Sequence, residues 1–311
     1  MGTPAFAVPS LSVVAAETQL VGVVSQPDKP QGRGLASVAS SVSQAAAQIA
    51  VPLIRPARIR DADALATLSE WRPDLLVVAA YGKILPRAIL DLPSIAAINV
   101  HASLLPRHRG AAPIAAAIRA GDAVTGVTIM LMSEEMDAGD VLLQRSLAVA
   151  PDETTATLTE RLAILGAESL REALTRLRSS GLDPVPQSPD AVTYAPRLTK
   201  DDGRIRWNEA AAVIERTIRA YTPWPGSFAV LGDRRVKILE ARAPAASDAG
   251  QRSPSGSPMP GTIIALGDAI QVATGSGILE LRVLQMEGKK ALPAATFAVG
   301  ARLSVGARFD G

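Results

Sequence analysis

Short apolar runs alternate with amphipathic stretches along the first half of the chain. Four of the apolar runs have the length of a strand: 20–25, 74–80, 95–100 and 126–132. The stretches between them show the apolar spacing of helices at 9–17, 42–49, 62–71 and 113–120. Continuous apolar runs are typical of strands covered on both faces. Their alternation with helices predicts a parallel α/β sheet with right-handed crossovers.

The pattern changes in the second half. The longest helical pattern covers 154–178, and Gly181 follows it as a helix-ending residue. Four prolines and little periodicity then predict a linker over 182–200. One more helix, at 209–220, precedes five short alternating runs that predict a small β-barrel: 228–231, 235–239, 261–265, 269–273 and 278–284. The predicted organisation is an α/β domain over 1–181, the linker, and a C-terminal domain over 201–311.

Composition narrows the class of protein. The chain has 311 residues, of which 48% are hydrophobic and 20% charged, as expected for a globular protein of about two domains. It has no cysteine, which excludes disulfides, cysteine nucleophiles and cysteine-based metal sites, and we expect no metal. Neither a secretory leader nor an apolar run of membrane-spanning length is present. We therefore expect a cytoplasmic protein with no membrane partner.

The charges are nearly balanced, with 32 basic and 30 acidic side chains and a formal net charge of +2. Residues 201–311 hold a small excess of basic side chains. A mildly basic C-terminal domain is compatible with a polyanionic partner such as nucleic acid, although an excess of this size is also ordinary for a solvated surface.

The two histidines provide the strongest sign of chemistry. The chain contains only His101 and His108, and both lie in the stretch 99–113, directly after an apolar run. Polar groups at the carboxyl end of a buried strand occupy the place where open α/β sheets put their sites. Asn99 and His101 are two residues apart, so both side chains point to the same face of an extended strand.

Several motifs now point to one family. The stretch Asn99–Pro113 reads N-x-H followed by SLLPxxRGAAP, and residues 135–140 read EMDAGD. Further matches occur along the chain at 2–7, 26–34, 80–86, 194–200, 223–226 and 287–290. The two first-named motifs are shared by folate-dependent formyltransferases. With the second-half motifs included, the chain resembles the methionyl-tRNA formyltransferase family over nearly its full length.

This resemblance implies a fold and a reaction. The fold would be a Rossmann-like formyltransferase domain followed by a small OB-like β-barrel domain that contacts tRNA. The donor would be 10-formyltetrahydrofolate, and the acceptor would be the α-amino group of methionine on initiator methionyl-tRNA. The product, formylmethionyl-tRNA, serves translation initiation. The expected enzyme is a cytoplasmic monomer.

The family's catalytic residues correspond here to Asn99, His101 and Asp137. Formyl transfer to an amine passes through a tetrahedral intermediate that bears an oxyanion. We expect Asn99 and a protonated His101 to stabilise that charge, and Asp137 to favour the imidazolium and relay the amine proton. The structural alternatives are a strand-end cap for Asn99, a buried structural histidine for His101, and an Asx turn for Asp137.

Binding residues also follow from the resemblance. The folate-binding residues would be Ser103, Leu104, Leu105, Pro106 and Leu85, with loop packing as the alternative. Contacts to tRNA would come from Arg33, Lys289 and Lys290. His108 is expected to have a packing role.

The sequence departs from the family pattern in two places. Residues 35–43 carry no positive charge where relatives are basic, which should weaken phosphate contacts there. Relatives also have a strand before Gly2-Thr3-Pro4, and a mis-assigned start codon would account for its absence here. If the chain begins at Met1, we expect the first strand of the sheet to be absent and the protein to be less stable.

Other functions remain possible from the sequence. An amino-sugar nucleotide N-formyltransferase shares the folate donor and the catalytic residues, as does glycinamide ribonucleotide formyltransferase, which is typically shorter. A folate- or RNA-binding protein without catalysis would not need Asn99, His101 and Asp137 together. An NAD-dependent enzyme is disfavoured because no G-x-G-x-x-G motif follows the first strand.

Overall fold

The computed structural model describes residues 1–31, 36–181, 183–244 and 258–311. Their contacts divide the chain into two compact units. The first unit comprises Met1–Pro113, Ala123–Val149 and Leu158–Pro196, and the second comprises Ile114–Asp122, Ala150–Thr157 and Arg197–Gly311. Among the described residues, no helix has the length and apolarity needed to cross a membrane.

Within the described ranges, six of the eight α-helices lie within about two residues of those predicted from the apolar spacing, and the short helices Arg87–Leu90 and Ala294–Gly300 were not predicted. In chain order the helices are α1 (Val8–Glu17), α2 (Ser41–Gln48), α3 (Ala62–Trp71), α4 (Arg87–Leu90), α5 (Pro113–Ala120), α6 (Thr155–Ser180), α7 (Ala211–Ala220) and α8 (Ala294–Gly300). Three short 3-10 helices lie at Ala5–Ala7, Pro189–Ala191 and Asp201–Gly203.

The strands divide between the two units. Those of the first unit are β1 (Val23–Val24), β2 (Lys29–Gln31), β3 (Ala36–Val38), β4 (Leu53–Ile54), β5 (Leu75–Val78), β6 (Ala96–His101), β7 (Arg109–Gly110), β8 (Val124–Leu131), β9 (Val141–Ala148) and β10 (Tyr194–Ala195). Those of the second are β11 (Ser227–Leu231), β12 (Arg234–Arg242), β13 (Ile263–Leu266), β14 (Ile270–Ala273), β15 (Ile278–Met286) and β16 (Ala291–Pro293).

The main sheet of the first unit has the order β5-β6-β8-β9. Its β5–β6 pair is parallel, as predicted, but β8 runs antiparallel to β6, and β9 runs antiparallel to β8. The prediction of a wholly parallel sheet is therefore wrong. A loop too short for a crossover joins β8 to β9, and such a connection returns the chain antiparallel. The pattern did not predict β9 because most of its side chains are half-buried or exposed.

Helix α6 covers one face of this sheet. Its Gly166 makes the close approach possible, since a Cβ there would lie 3.0 Å from a methyl group of Val100 and 3.8 Å from Val127. Val100 points towards the helix, so its neighbours Asn99 and His101 point to the opposite face. The packing of α6 thereby decides which face of β6 is left for the site.

The second unit is an antiparallel sheet with the order β11-β12-β15-β14-β13, and β16 also pairs with β15. Helices α7 and α8 supply Ile214, Ile218 and Phe297 to its buried core. The two edge strands each approach the C-terminal segment, through isolated bridges Val230–Asp310 and Thr262–Arg308. Residues 308–310 therefore link the edges of the expected barrel without forming a continuous strand.

A gap separates β1 from β5 in the first unit. The two strands belong to separate sheets, β1 pairing with β4 and β5 with β6. Met1 and Gly2 link them at one end, where the Met1 amine donates to Val77 O and the Gly2 N–H donates to Val24 O. The rest of the gap is a cavity of about 320 Å³ with a largely apolar lining that includes Leu11, Val14, Val23, Leu68, Leu75, Val77 and Leu174. This cavity lies where the sequence predicts the missing strand.

Burial of the Met1 amine carries an electrostatic cost. Desolvation lowers the pKa of this amine from 8.0 to about 5. An unfolded chain takes up a proton between pH 8 and pH 5, but the folded chain resists doing so. The Met1 amine therefore does not reduce the free energy of unfolding above pH 8. As the pH is lowered from 8 towards 5, this one group lowers the free energy of unfolding by about 4 kcal/mol.

An N-terminal extension tests both effects. Relative to a chain that starts at Met1, five apolar β-forming residues placed before it should raise Tm, because they fill the cavity and replace the buried amine with a peptide N–H. The stability loss between pH 8 and pH 5 should also shrink. Thermal denaturation at several pH values measures both.

A five-residue Gly/Ser extension is the matched control, since it removes the amine but cannot fill the apolar cavity. If the apolar extension is no more stabilising than the Gly/Ser one, the cavity does not accept a strand.

Candidate active site

The central strand β6 presents two of the predicted catalytic side chains. It lies between β5 and β8, with Asn99 opposite Met130 of β8 and His101 opposite Thr128. His101 is the last residue of the strand and is only 6% exposed. The side chains of Asn99 and His101 lie on the face opposite α6, as the alternation of the strand requires.

Asp137 reaches these two residues from the loop between β8 and β9. Its Oδ1 lies 3.5 Å from Asn99 Nδ2 and 3.6 Å from His101 Nδ1, and its side chain is 16% exposed. Its Oδ2 accepts a 2.8 Å hydrogen bond from the Gly110 N–H. The loop runs close to β8, because a Cβ at Gly139 would lie 1.9 Å from Leu131 O. The structure thus brings the three predicted catalytic residues together.

The hydrogen bonds of His101 identify the nitrogen that carries its proton. Its Nε2 lies 3.1 Å from His108 O. A carbonyl oxygen only accepts, so Nε2 carries the proton and donates it. In the neutral ring Nδ1 therefore has a free lone pair, and this lone pair faces Asp137. A proton taken up by His101 would sit at Nδ1, between the ring and the carboxylate.

Burial decides the charge of His101. Desolvation lowers its pKa below the ordinary 6.5, against the smaller raising effects of the Asp137 carboxylate and the His108 carbonyl. Burial therefore favours the neutral ring at rest. The protonated His101 expected from the sequence stays a prediction for the reacting state, in which Asp137 favours the charge.

The loop after β6 is held by its own hydrogen bonds. Ser103 Oγ donates to Arg107 O at 2.6 Å, and Thr128 Oγ1 donates to Ser103 O at 2.7 Å. The Leu105 N–H donates to Thr128 Oγ1, and Gln144 Nε2 donates to Leu105 O. Ser103 is fully buried, and its hydroxyl is used within the loop.

The other predicted folate-binding residues differ in accessibility. Leu104 and Pro106 are half-buried, whereas Leu105 is buried. Leu85 packs in a core cluster with Val78, Tyr81 and Ile89. Its neighbour Ile84 is 69% exposed.

The predicted tRNA-binding residues are of two kinds. Arg33 lies outside the described residues. Lys289 and Lys290 are exposed in the turn between β15 and β16, in the second unit. On the adjacent strand Lys237 is exposed, and the Arg235 guanidinium lies 3.3 Å from the centre of the Phe228 ring. Lys237 pairs with Gln285 across β12 and β15, so it lies beside the strand that leads into the turn with Lys289 and Lys290.

Sequence reasoning missed three residues that contact the site: Gly110, Gln187 and Thr193. Gly110 has a φ of 121°, and a Cβ there would lie 2.5 Å from Ala195 O. Gln187 and Thr193 fall in the stretch predicted as a linker. Although residues 183–196 lack periodicity, they belong to the first unit. The match of 194–200 to the family pattern was the only signal near them.

Within the described ranges, no group of three or more His, Cys, Asp or Glu side chains is arranged to hold a metal ion.

Comparison with known proteins identifies two domains. The family described as Formyl transferase matches residues 7–174, and Formyl transferase, C-terminal domain, matches residues 197–302. A methionyl-tRNA formyltransferase from Myxococcus xanthus is 45% identical over 309 residues, covering 99% of this chain and 96% of the relative. One from Roseiflexus sp. is 46% identical and covers 99% and 93%.

Solved structures show the same fold at lower identity. WlaRD, a sugar 3N-formyl transferase, matches with a TM-score of 0.65 and 16% identity, covering 93% of this chain and 97% of that one. HypX from Aquifex aeolicus, solved with tetrahydrofolic acid, matches with a TM-score of 0.56 and 21% identity over 78% of this chain. HypX is longer, and the match spans 42% of it.

The charge state of His101 can be measured directly by NMR. The chain has only two histidines, so the ring signal that disappears from the NMR spectrum of a His101→Gln variant belongs to His101. We expect His101 to titrate below 6.5. Asp137→Asn should lower its pKa further, because the variant removes a carboxylate that favours the imidazolium. A higher His101 pKa in Asp137→Asn would contradict the geometry.

Proposed function

The chain belongs to the methionyl-tRNA formyltransferase family, and on this basis we propose how the site at the end of β6 performs the reaction. The enzyme transfers the formyl group of 10-formyltetrahydrofolate to the α-amino group of methionine on initiator methionyl-tRNA. One observation supports this assignment of the site: the side-chain nitrogens of Asn99 and His101 both lie within 3.6 Å of Asp137 Oδ1.

The reaction exchanges one carbon–nitrogen bond for another. The neutral amine of methionine attacks the formyl carbon, and the carbonyl oxygen becomes an oxyanion. The bond from this carbon to N10 of the folate then breaks. One proton leaves the amine and one is gained by N10, so the products are formylmethionyl-tRNA and tetrahydrofolate.

His101 is suited to carry this proton. Its neutral Nδ1 faces the Asp137 carboxylate, which relays the proton of the attacking amine to it, since Nε2 is already committed to His108 O. The ring is then an imidazolium, and the proton returns through the same carboxylate to N10 as the carbon–nitrogen bond breaks. A pKa lowered by burial favours this exchange, because the charged ring is not the resting state.

Asn99 and Asp137 have complementary parts. The Asn99 Nδ2 group is an uncharged donor for the oxyanion and requires no proton transfer. The Asp137 carboxylate stabilises the imidazolium as it forms, and the Gly110 N–H holds that carboxylate in place. His101 thus acts first as a base and then as an acid, Asn99 is a fixed hydrogen-bond donor, and Asp137 is a fixed negative charge.

The folate would lie along the loop after β6. Leu104 and Pro106 offer half-buried apolar surface, and Ile84 offers exposed apolar surface. A flat heterocycle is bound by apolar faces together with a few backbone donors and acceptors, which a loop of this kind supplies. Ser103, Leu105 and Leu85 would act by shaping this wall, since their side chains are buried.

The tRNA would contact the basic surface of the second unit formed by Arg235, Lys237, Lys289 and Lys290. Their positive charges are placed to bind phosphates, which supply much of the affinity for nucleic acid. Arg33 stays a predicted contact to the aminoacyl end.

We also propose where the enzyme acts and in which oligomeric state. The enzyme would act in the cytoplasm, where initiator tRNA is used, and as a monomer of 32.3 kDa. Size-exclusion chromatography with light scattering tests the second statement.

Activity tests the function and the catalytic residues together. We expect formyl transfer from 10-formyltetrahydrofolate to initiator methionyl-tRNA, but not to uncharged tRNA. His101→Gln and Asn99→Ala should each lower kcat by about 10²- to 10³-fold, with circular dichroism confirming the fold. The rate should also fall on the acid side of the His101 titration, because protonated His101 cannot accept the amine proton.

A nucleotide-linked amino sugar is the competing acceptor. Transfer to it, with none to methionyl-tRNA, would overturn the proposed function. An unchanged rate in His101→Gln would instead remove that residue from catalysis.

Charge reversal tests the basic surface. The Lys289→Glu, Lys290→Glu double variant should bind tRNA more weakly and flatten the plot of log affinity against log salt by about two units. Arg58→Glu with Arg60→Glu is a matched control, because both residues are exposed and the charge change is the same. An equal loss in both double variants would argue against a specific surface.

A further inference from the structure

We propose that Gln187 and Thr193 are positioning residues that hold the two catalytic loops in their reactive arrangement. Both lie in residues 185–195, here named the 185–195 segment. The inference rests on the proposed function and deepens it, because one of these loops carries Asp137 and the other carries His108, whose carbonyl binds His101.

The 185–195 segment is joined to the catalytic loops at both ends. At its start Val185 exchanges two backbone hydrogen bonds with Val141, directly after the Asp137 loop. At its end β10 pairs in parallel with β7, directly after the loop that carries His108. The segment therefore spans from one loop to the other.

Gln187 binds both loops through one side chain. Its Nε2 donates to Asp137 O at 2.8 Å and to Gly139 O at 2.7 Å. Its Oε1 accepts from Arg109 Nε at 3.1 Å and Nη2 at 2.8 Å. Carbonyls only accept and a guanidinium only donates, so these partners allow a single orientation of the amide. All four hydrogen-bonding positions of the amide are used.

Thr193 acts on His101 through one intervening peptide. Its Oγ1 accepts the His108 N–H at 2.8 Å, and its backbone oxygen accepts the Arg109 N–H at 2.8 Å. His108 O is in turn the acceptor for His101 Nε2. The Thr193 backbone oxygen thus holds the peptide whose carbonyl selects the tautomer of His101, and the Thr193 hydroxyl holds the peptide that precedes it, so Thr193 fixes His108 from both sides.

Both loops need such support because each contains a residue in an unfavourable conformation. Asp137 has a φ of 51° and His108 has a φ of 59°. Residues other than glycine seldom adopt this left-handed region, and they persist there only when surrounding contacts hold them. Gln187 binds the carbonyl of Asp137, and Thr193 binds the N–H of His108. The 185–195 segment therefore holds both strained residues directly.

Core packing does not account for these contacts. Most side chains of the segment are exposed, and Gln187 is half-buried. Ala195 is buried, but it contributes a single methyl group. Polar hydrogen bonds to the loops are the main contribution of Gln187 and Thr193.

Kinetic measurements on paired variants test the proposal. Gln187→Ala removes all four side-chain hydrogen bonds, and Thr193→Val removes the hydroxyl while keeping the side-chain shape. Each should lower kcat by about 10- to 100-fold, with KM for both substrates changed by no more than about threefold. Thr193→Ser keeps the hydroxyl and should restore kcat. Ser188→Ala is the control, since Ser188 is exposed and its side chain makes no capping hydrogen bond.

NMR titration of His101 supplies a readout that does not need activity. Thr193→Val should lower the His101 pKa, because His108, whose carbonyl favours the charged ring, is then held on one side only. Gln187→Ala should lower it by displacing the Asp137 carboxylate. A merely structural role would reduce thermal stability and leave the titration of the folded protein unchanged.

The outcomes separate the two proposals. Unchanged kcat and His101 titration in Gln187→Ala and Thr193→Val would overturn the positioning role, while wild-type activity would uphold the function. Altered His101 titration in a protein inactive towards methionyl-tRNA would uphold the positioning role and overturn the function. If Gln187→Ala does not fold, the comparison of Thr193→Val with Thr193→Ser decides.

Discussion

The carboxylate of Asp137 is the point on which the site depends. One of its oxygens accepts the Gly110 N–H, and the other lies about equally far from Asn99 and His101. Because it joins the end of β6 to the loop that follows and to the loop before β9, a small displacement of this group changes the surroundings of both catalytic partners. The left-handed backbone of Asp137 puts the carboxylate at this point.

The behaviour of His101 follows from a competition between burial and charge. The ring is almost completely buried, and removing a cation from water costs more than the nearby carboxylate returns. The result is a neutral base whose only free nitrogen faces Asp137. A more exposed ring beside the same carboxylate would be charged at rest, and it could not accept a proton from the amine.

The first unit also contains a region that its packing leaves incomplete. The cavity between β1 and β5 has an apolar lining, and Met1 places a desolvated amine at its end. The site lies on β6, which pairs with β5 over residues 96–99 and with β8 over residues 98–101. Both catalytic residues of β6 are therefore held by ladder pairing in spite of the cavity beside β5.

Local pattern determined much of this protein from the sequence alone. Apolar spacing predicted α1, α2, α3, α5, α6 and α7 to within about two residues, because each helix buries one face against its unit. The family, the reaction and the folate donor also followed from motifs, since chemistry at β6 requires particular residues in a particular order. The meeting of Asn99, His101 and Asp137 agrees with that expectation.

Only the tertiary structure decided the direction of β8, the neutral state of His101, and the contacts of Gln187 and Thr193. The direction of a strand depends on the end of the sheet from which the chain enters it. The pKa of a side chain depends on its burial by residues that are distant in the sequence. The 185–195 segment has no periodicity because its bonds are polar and irregular, and the side chains of Gln187 and Thr193 bind partners 48 to 85 residues away along the chain. Contacts of this kind leave no local pattern, so only the folded chain reveals them.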